Sequence, residues 1–270
     1  MQANFDQPIY LFRIAALLIF LITCAGAVVK AQASRASSAT SYIERGNDWL
    51  AKGNPDRAIA DYDLAIATYP GLAIAYLRRG AARGAKGDLG GAIADYTKAL
   101  EISPRLVEAY NNRGSVRFVQ GEIAEALSDL DAAIELAPDR AAAYQNRGVV
   151  RQRKGDLEGA LVDFNRAIAL DPRFAEAYNC HGTVWSEKGD LDRAITDFSR
   201  SIKLNPQYYG AFANRGLAYL RLGREAEARK DFNQCLKLKP DLQPQLERRI
   251  RDESSERFRP ARPSGHGLPR

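Results

Sequence analysis

Small and apolar residues recur along this chain at steps of three and four, as helices with one buried stripe require. One such helix is predicted from Tyr76 to Lys86, and another stripe runs from Leu157 to Ile168. Prolines then stop the second helix of each pair at intervals of 34 residues: Pro70, Pro104, Pro138, Pro172, Pro206 and Pro240. A fixed period over this length predicts a stacked all-α repeat array rather than a domain with a single core.

The turn inside each helix pair is marked by glycine, which accepts the left-handed conformation that follows a helix C-terminus. These glycines are Gly87, Gly121, Gly155, Gly189 and Gly223. Asp88, Asp156 and Asp190 come next as predicted N-caps of the second helix, and Asn54-Pro55 plays that part in the first pair. Each pair is too small to bury its apolar face alone, so neighbouring pairs must stack.

Arginine and aspartate keep a second register. An acid follows sixteen residues after each arginine of a recurring Arg-Gly pair: Arg45 and Asp61, Arg79 and Asp95, Arg113 and Asp129, Arg147 and Asp163, Arg215 and Asp231. Two antiparallel helices joined by a tight turn bring such positions together, so we predict an ion pair within each of these repeats. In the remaining repeat His181 is expected to face Asp197. Solvated charges and an anion-binding arginine ladder are the alternatives.

The whole pattern resembles the tetratricopeptide repeat (TPR) family. An aromatic, a glycine four residues on, an alanine twelve after that, a second aromatic and a closing proline fall at the family spacing, as in Tyr76, Gly80, Ala92, Tyr96 and Pro104. Six such repeats fill residues 39–242: 39–72, 73–106, 107–140, 141–174, 175–208 and 209–242. The resemblance implies antiparallel helix pairs stacked into a right-handed superhelical solenoid with a concave groove.

Polar side chains on the first helices are the predicted peptide-binding residues. One position holds Asn112, Asn146 and Asn214, with Glu44, Arg78 and Cys180 in the same place of the other repeats. In TPR proteins this position generally faces the groove, and its asparagines resemble the ladder that holds extended peptides in some members. An amide offers a donor and an acceptor to a peptide bond. Asn111, Gln145 and Asn179 lie beside the ladder as further contacts. The alternative is a polar face that only keeps the array soluble.

Composition and charge narrow the class of function. Hydrophobic residues make up 46% of the chain and charged residues 27%, which is ordinary for a soluble helical protein. The net charge of +6 arises mainly from the two ends, because the repeats hold 29 basic and 28 acidic residues. A nucleic-acid partner is therefore not expected, since binding to nucleic acid needs a basic stripe.

Catalytic motifs are missing from the sequence: there is no P-loop, no G-x-S-x-G and no H-E-x-x-H. Cys180-His181 has no second cysteine or histidine at metal-ligand spacing. We therefore predict a protein that is not an enzyme and that needs no cofactor or metal. Cys180 and Cys235 are placed too far apart for a disulfide, and Cys235 takes a small, buried position.

The N-terminal segment differs from the repeats. Ile14–Val29 is an uncharged run of 16 residues, between the about 20 of a spanning helix and the roughly 7 to 15 of a signal-peptide core. Ala31-Gln32-Ala33 follows as a cleavage site. We predict that residues 1–33 are a signal peptide or, alternatively, a single membrane anchor, and that 34–38 are a linker. Lipidation of Cys24 is left open, because Thr23 replaces the small residue of a lipoprotein box.

The C-terminal residues 243–250 are predicted to form a capping helix, and 251–270 a disordered basic tail. Together these features predict a non-catalytic adaptor, exported to the cell envelope as a periplasmic or secreted protein. It would bind an extended segment of a partner protein in its groove, with membrane association through the N-terminal segment. The alternative is a membrane-tethered structural or assembly factor that uses the edges or the open end of the array. The sequence leaves the oligomeric state open.

Overall fold

The computed structural model describes residues 7–257 and the side chains of residues 29–253. Its regular structure is helical throughout these residues, without a strand. The chain divides into two compact units, Met1–Glu122 and Ile123–Arg270. The first unit contains α1 (Gln7–Ala51), α2 (Pro55–Thr68), α3 (Ala73–Ala85), α4 (Leu89–Ile102) and α5 (Val107–Gln120). The second contains α6 (Ile123–Leu136), α7 (Ala141–Lys154), α8 (Leu157–Leu170), α9 (Ala175–Glu187), α10 (Leu191–Leu204), α11 (Tyr209–Arg221), α12 (Glu225–Leu238), a 3₁₀ helix (Pro240–Leu242) and α13 (Gln243–Arg257).

The helices of the first unit pack in chain order, each against the next. Gly46 explains how closely the two helices of a pair approach: a Cβ there would stand 2.5 Å from Cε1 of the Tyr62 ring. Ala58 and Ala65, about one helical turn before and after Tyr62, are fully buried. The small residues and the aromatic therefore form one interlocked contact, because any larger side chain would push the helices apart.

The first helix, α1, is longer than the sequence analysis predicted. It runs without a break through residues 34–38, which were expected to form a linker, because residues 27–45 contain neither glycine nor proline. The hydrophobic run Ile14–Val29 and Cys24 lie outside the described side chains, except for Val29. Among the described residues, no helix is both long and apolar enough to span a membrane. Cleavage, anchoring and lipidation stay predictions.

The helices of the second unit repeat the same arrangement, with α7 on α8, α9 on α10 and α11 on α12. The predicted turns are confirmed, since Gly155 and Gly189 have φ of +89° and +84°. The predicted N-caps are also confirmed: Asp156 accepts from the Gly159 N–H at 2.9 Å and Asp190 from the Arg193 N–H at 3.0 Å. In the first unit, Asp88 and Asn54 cap α4 and α2 in the same way.

The C-terminal helix extends beyond the predicted boundary at residue 250. Helix α13 ends at Arg257, because residues 251–257 include no helix breaker, and residues 258–270 lie outside the described part. Leu246 is buried and packs with Phe212, one period earlier in the chain. Helix α13 therefore acts as the first helix of an incomplete further repeat and covers α11, as a solenoid end requires.

The predicted arginine–aspartate pairs are present in both units. Nε and Nη2 of each arginine donate to the two carboxylate oxygens of its aspartate in the pairs Arg45 and Asp61, Arg79 and Asp95, Arg147 and Asp163, and Arg215 and Asp231. Such two-pronged bonds fix both distance and orientation. Arg113 and Asp129 belong to different units, so their pairing stays a prediction.

The same arginines also hold the preceding helix pair. Nη1 of Arg147 donates to Asp131 at 2.7 Å, and Nη1 of Arg79 donates to Asp63 at 2.5 Å. Arg113 and Arg215 donate in the same way to the hydroxyls of Thr97 and Ser199, each at 3.0 Å. One guanidinium therefore joins two consecutive repeats, which explains its strict register in the sequence.

Candidate functional site

The predicted peptide-binding residues of the first unit lie on α3 and α5. Nη1 of Arg78 donates to Glu108 in the first turn of α5 at 3.1 Å, which pairs adjacent first helices. Nδ2 of Asn111 donates to Oδ1 of Asn112 at 3.3 Å, and both asparagines are half-buried. Burial raises the pKa of Tyr96, a hydrogen-bond partner of Asn112, to about 12. Tyr96 therefore stays a neutral hydroxyl beside the amide.

In the second unit, polar side chains of α9, α11 and α13 form a continuous chain of hydrogen bonds. Nη2 of Arg249 donates to Oδ1 of Asn214, whose Nδ2 donates to Oδ1 of Asn179, each at 3.0 Å. Nδ2 of Asn179 donates in turn to the hydroxyl of Tyr208 at 3.2 Å. Asn179 is buried whereas Asn214 is half-buried, so Asn179 is placed to orient Asn214 rather than to contact a ligand.

The remaining predicted residues lie on α7. Nε2 of Gln145 lies 3.6 Å from Sγ of Cys180 on α9, and Asn146 beside it is half-buried. Burial raises the pKa of the Cys180 thiol, so this sulfur stays protonated rather than reactive at neutral pH. Cys180 and Cys235 are both free, and Cys235 is fully buried, as the sequence analysis expected.

A second polar row lies further along the same helices, and the sequence analysis missed it. Arg221 donates to both carboxylate oxygens of Glu253 on α13 at 2.6 Å and to the Ser186 hydroxyl at 3.1 Å. Nε2 of Gln152 donates to Glu187 at 2.6 Å. These partners stand 31 to 35 residues apart. A search for polar pairs at one repeat plus one residue would have indicated the two pairs that stand 35 residues apart, Gln152 with Glu187 and Arg221 with Ser186.

A cavity of about 210 Å³ joins the two rows. Its lining residues come from α9, α10, α11 and α13, and include Thr183, Ser186, Glu187, Phe198, Asn214, Leu217, Arg221, Arg249 and Glu253. Its polar groups comprise amide, hydroxyl, guanidinium and carboxylate, and Phe198 and Leu217 supply the apolar part of the lining. This mixture suits hydrogen bonding to a peptide main chain. No cluster of three metal-ligating side chains occurs in the part of the chain that the structure describes.

Family comparison agrees with this architecture. Models described as TPR repeat match residues 84–121 and 186–223, and models described as tetratricopeptide repeat match 105–173 and 210–242. The chain belongs to the tetratricopeptide repeat family. The repeats of this TPR protein supply the interlocked glycine–aromatic contacts, the capped second helices and the first helices that carry the candidate site. A comparison with curated proteins finds no significant match.

Solved structures similar to this TPR protein include MamA, YrrB and PilF. The crystal structure of MamA is 31% identical, with a TM-score of 0.51, over 60% of this chain and 95% of MamA. YrrB, a TPR protein with an unusual peptide-binding site, is 23% identical, with a TM-score of 0.51, over 72% of this chain and 97% of YrrB. PilF of Pseudomonas aeruginosa is 19% identical, with a TM-score of 0.69, over 83% of this chain and 99% of PilF. The last two show the fold alone.

Proposed function

We propose that this TPR protein is a non-catalytic adaptor that binds an extended segment of a partner protein along its first helices. The observation that carries this proposal is the position of Asn214. Its side chain lines the cavity and is held by hydrogen bonds to Asn179 on one side and to Arg249 on the other. Its oxygen accepts one bond and its NH₂ group donates one, so each retains a further bond for a ligand. Asn146 would extend the same track on α7, and Asn112 would act on α5 of the first unit.

The polar side chains of the candidate site support a peptide ligand that is recognised mainly by hydrogen bonds to its main chain. Each amide matches a peptide bond regardless of side chain. Arg221 is neutralised by its ion pair with Glu253, so this pair offers orientation rather than a strong net attraction. TPR proteins are generally interaction scaffolds, and the peptide-binding site of YrrB gives a precedent within the family.

The test uses the full chain expressed in its own cells, crosslinked before lysis. Partners recovered with the wild type are compared with those of the triple variant Asn112→Ala/Asn146→Ala/Asn214→Ala. Asn233→Ala is the matched control, because Asn233 is an exposed asparagine on α12, away from the candidate site. Loss of a defined partner in the triple variant alone, with unchanged helicity in circular dichroism, is the expected result.

Unchanged partners in the triple variant would overturn the peptide-binding proposal. That outcome would favour the alternative, a membrane-tethered structural or assembly factor that uses the edges or the open end of the array. A truncation of α13 then distinguishes contacts at the open end from contacts at the edges, because it uncovers α11.

We further propose that residues 1–33 direct the protein to the cell envelope. The uncharged run Ile14–Val29 and the A-x-A site at Ala31–Ala33 support this proposal. Mass spectrometry of the mature N-terminus tests it. A chain that begins at Ser34 in the periplasm or medium indicates cleavage, whereas a full-length chain in the membrane fraction indicates an anchor. A full-length chain in the soluble cytosol would contradict export.

A further inference from the structure

The fifth repeat departs from the other repeats at one ion pair. Asp61, Asp95, Asp163 and Asp231 each receive a two-pronged bond from an arginine. Asp197, in the same register, receives one bond, from Nδ1 of His181 at 2.8 Å. Nε2 of His181 is buried and makes no hydrogen bond to any residue that the structure describes. The imidazole therefore supplies only one of the contacts that an arginine makes.

A cavity of about 430 Å³, wide open to solvent, lies at this place. It is lined by Asn165, His181, Trp185, Asp192, Arg193, Thr196 and Asp197. Asn165 stands sixteen residues before His181, as Asp131 stands before Arg147. In the neighbouring repeat, the guanidinium of Arg147 bridges Asp131 and Asp163. The cavity therefore lies between the two positions that a guanidinium joins elsewhere.

The carboxylate of Asp197 is accessible from this cavity. Its side chain is 16% exposed, whereas the four arginine-bound aspartates are 1% to 7% exposed. Its second oxygen, Oδ1, accepts no hydrogen bond from the described residues. Asn165 is exposed, and its amide oxygen is a further acceptor.

The arginine that lines this cavity is held by other partners. Nε of Arg193 lies 3.2 Å from Asp190, and its guanidinium stacks 4.4 Å from the centre of the Trp185 ring. Arg193 therefore forms one wall of the cavity without bonding to Asp197. Asp192, on the same helix, adds a second negative charge to the lining.

We propose that this cavity binds a guanidinium group, supplied either by an arginine side chain of a partner or by a small guanidinium compound. The planar guanidinium fork matches a carboxylate with two parallel N–H···O bonds, and its remaining N–H groups reach a second acceptor. Asp197 is the first acceptor and Asn165 the second. An ammonium ion presents no such fork, so the site discriminates between the two kinds of cation.

This site is separate from the peptide-binding residues proposed above, because none of them lines the cavity. The two proposals therefore fail independently. The triple asparagine variant leaves Asp197 in place, so its result does not test the guanidinium site. Binding of guanidinium at Asp197 likewise does not test whether Asn214 binds a peptide.

The experiment titrates the full chain with methylguanidinium chloride at millimolar concentrations and constant ionic strength. The chain has two tryptophans, so Trp49→Phe makes Trp185 the only indole reporter in the cavity wall. We expect a saturable change in Trp185 fluorescence with methylguanidinium and a response at least tenfold weaker with methylammonium. Calorimetry on the wild-type chain measures the same binding without the reporter substitution.

Two variants give the decisive controls. His181→Arg places a guanidinium of the chain's own in the cavity, as in the other repeats, and is expected to abolish the response while the fold is kept. Asp197→Asn removes the charge and is expected to weaken binding at least tenfold. If methylguanidinium and methylammonium act equally, or if the response persists in His181→Arg, the proposal is overturned.

The source of the guanidinium is distinguished with short peptides that carry one arginine and with their lysine counterparts. Binding of the arginine peptide, in competition with methylguanidinium, assigns the site to a partner side chain. Binding of methylguanidinium and agmatine without the peptide assigns it to a small compound. Both results support the guanidinium site and differ only in what delivers the group.

Discussion

The fourth and fifth repeats have nearly the same backbone but different surfaces. In both, the glycine of the first helix leaves no room for a Cβ: one at Gly148 would stand 2.7 Å from Cε1 of Phe164, and one at Gly182 would stand 2.8 Å from Cε1 of Phe198. In both, an aspartate caps the second helix. They differ where Arg147 closes the surface over Asp163 and His181 leaves a cavity beside Asp197.

This difference shows that the helix–helix geometry and the closure of the surface depend on different residues of a repeat. Close packing of glycine, alanine and the aromatic ring sets the helix–helix geometry, because it recurs whether or not the arginine is present. The arginine closes the surface, neutralises the buried aspartate and joins consecutive repeats. Histidine in place of arginine at position 181 therefore keeps the helix packing and leaves the cavity that we propose as a guanidinium site.

The largest expected effect comes from removing Asp163, and removal of Asp197 is its comparison. Asp163→Ala leaves Arg147 and Arg151 without their shared acceptor, and breaking such a buried pair costs about 3 kcal/mol. Asp197→Ala breaks one bond to His181 and costs about 1 kcal/mol. Amide hydrogen exchange of α7–α8 and α9–α10 measures each loss locally, which suits a repeat protein whose units open separately. Equal losses would contradict the distinction between the two repeats.

The glycine contact should have the same importance in both repeats. Gly148→Ala and Gly182→Ala each force a Cβ into the facing phenylalanine ring, and we expect each to cost about 2 kcal/mol through overpacking. Thermal unfolding followed by circular dichroism measures the change. Gly90→Ala is the control, because a Cβ there meets nothing within 4 Å. A much smaller loss at Gly182 would show that the open cavity lets α9 and α10 relax.

Removing the N-cap of the second helix should cost the same stability in the fourth and fifth repeats. Asp156→Ala and Asp190→Ala each leave a backbone N–H of the second helix without its side-chain acceptor, at a cost of about 1 kcal/mol. Exchange rates of the Gly159 and Arg193 amides report the loss directly. The conservative variants Asp156→Asn and Asp190→Asn retain the acceptor and should restore most of the protection.

The smallest expected effect is a gain. His181→Arg restores the pair found in the other repeats, and because Asp197 is partly exposed we expect about 0.5 kcal/mol of added stability. Exchange of the α9 and α10 amides should slow by about twofold as a result. His181→Lys is the matched control, since it adds the charge without the fork and should give less protection. A loss of stability in His181→Arg would show that the cavity does not have room for a guanidinium.

Prediction from the sequence succeeded where each residue acts through its own repeat. Asp156 and Asp190 cap the helices they precede, and Gly155 and Gly189 adopt positive φ, because both depend on a few neighbouring backbone groups. The pairing of His181 with Asp197 followed from antiparallel geometry alone. Boundaries at the chain ends were less accurate: α1 continues through residues 34–38 and α13 continues to Arg257.

The candidate site was predicted less completely. Asn214 was singled out by its register, but the burial of Asn179 and the contribution of Arg221, Arg249 and Glu253 depend on how α13 packs against α11. Such contacts join residues about one repeat apart through long side chains. Their rotamers follow from packing rather than from periodicity, so spacing could indicate that some of these residues face each other but not which groups line the cavity.

The sequence by itself determined the repeat period, the helix pairs, the caps and the ion-pair register, because each follows from spacing along one or two helices. Only the tertiary structure decided which polar groups are left with hydrogen-bonding capacity, at Asn214 and at Asp197. The physical reason is that a free lone pair or an open volume is what remains after every neighbouring side chain has packed. A free lone pair or an open volume therefore depends on all the contacts together and cannot be predicted from any single residue.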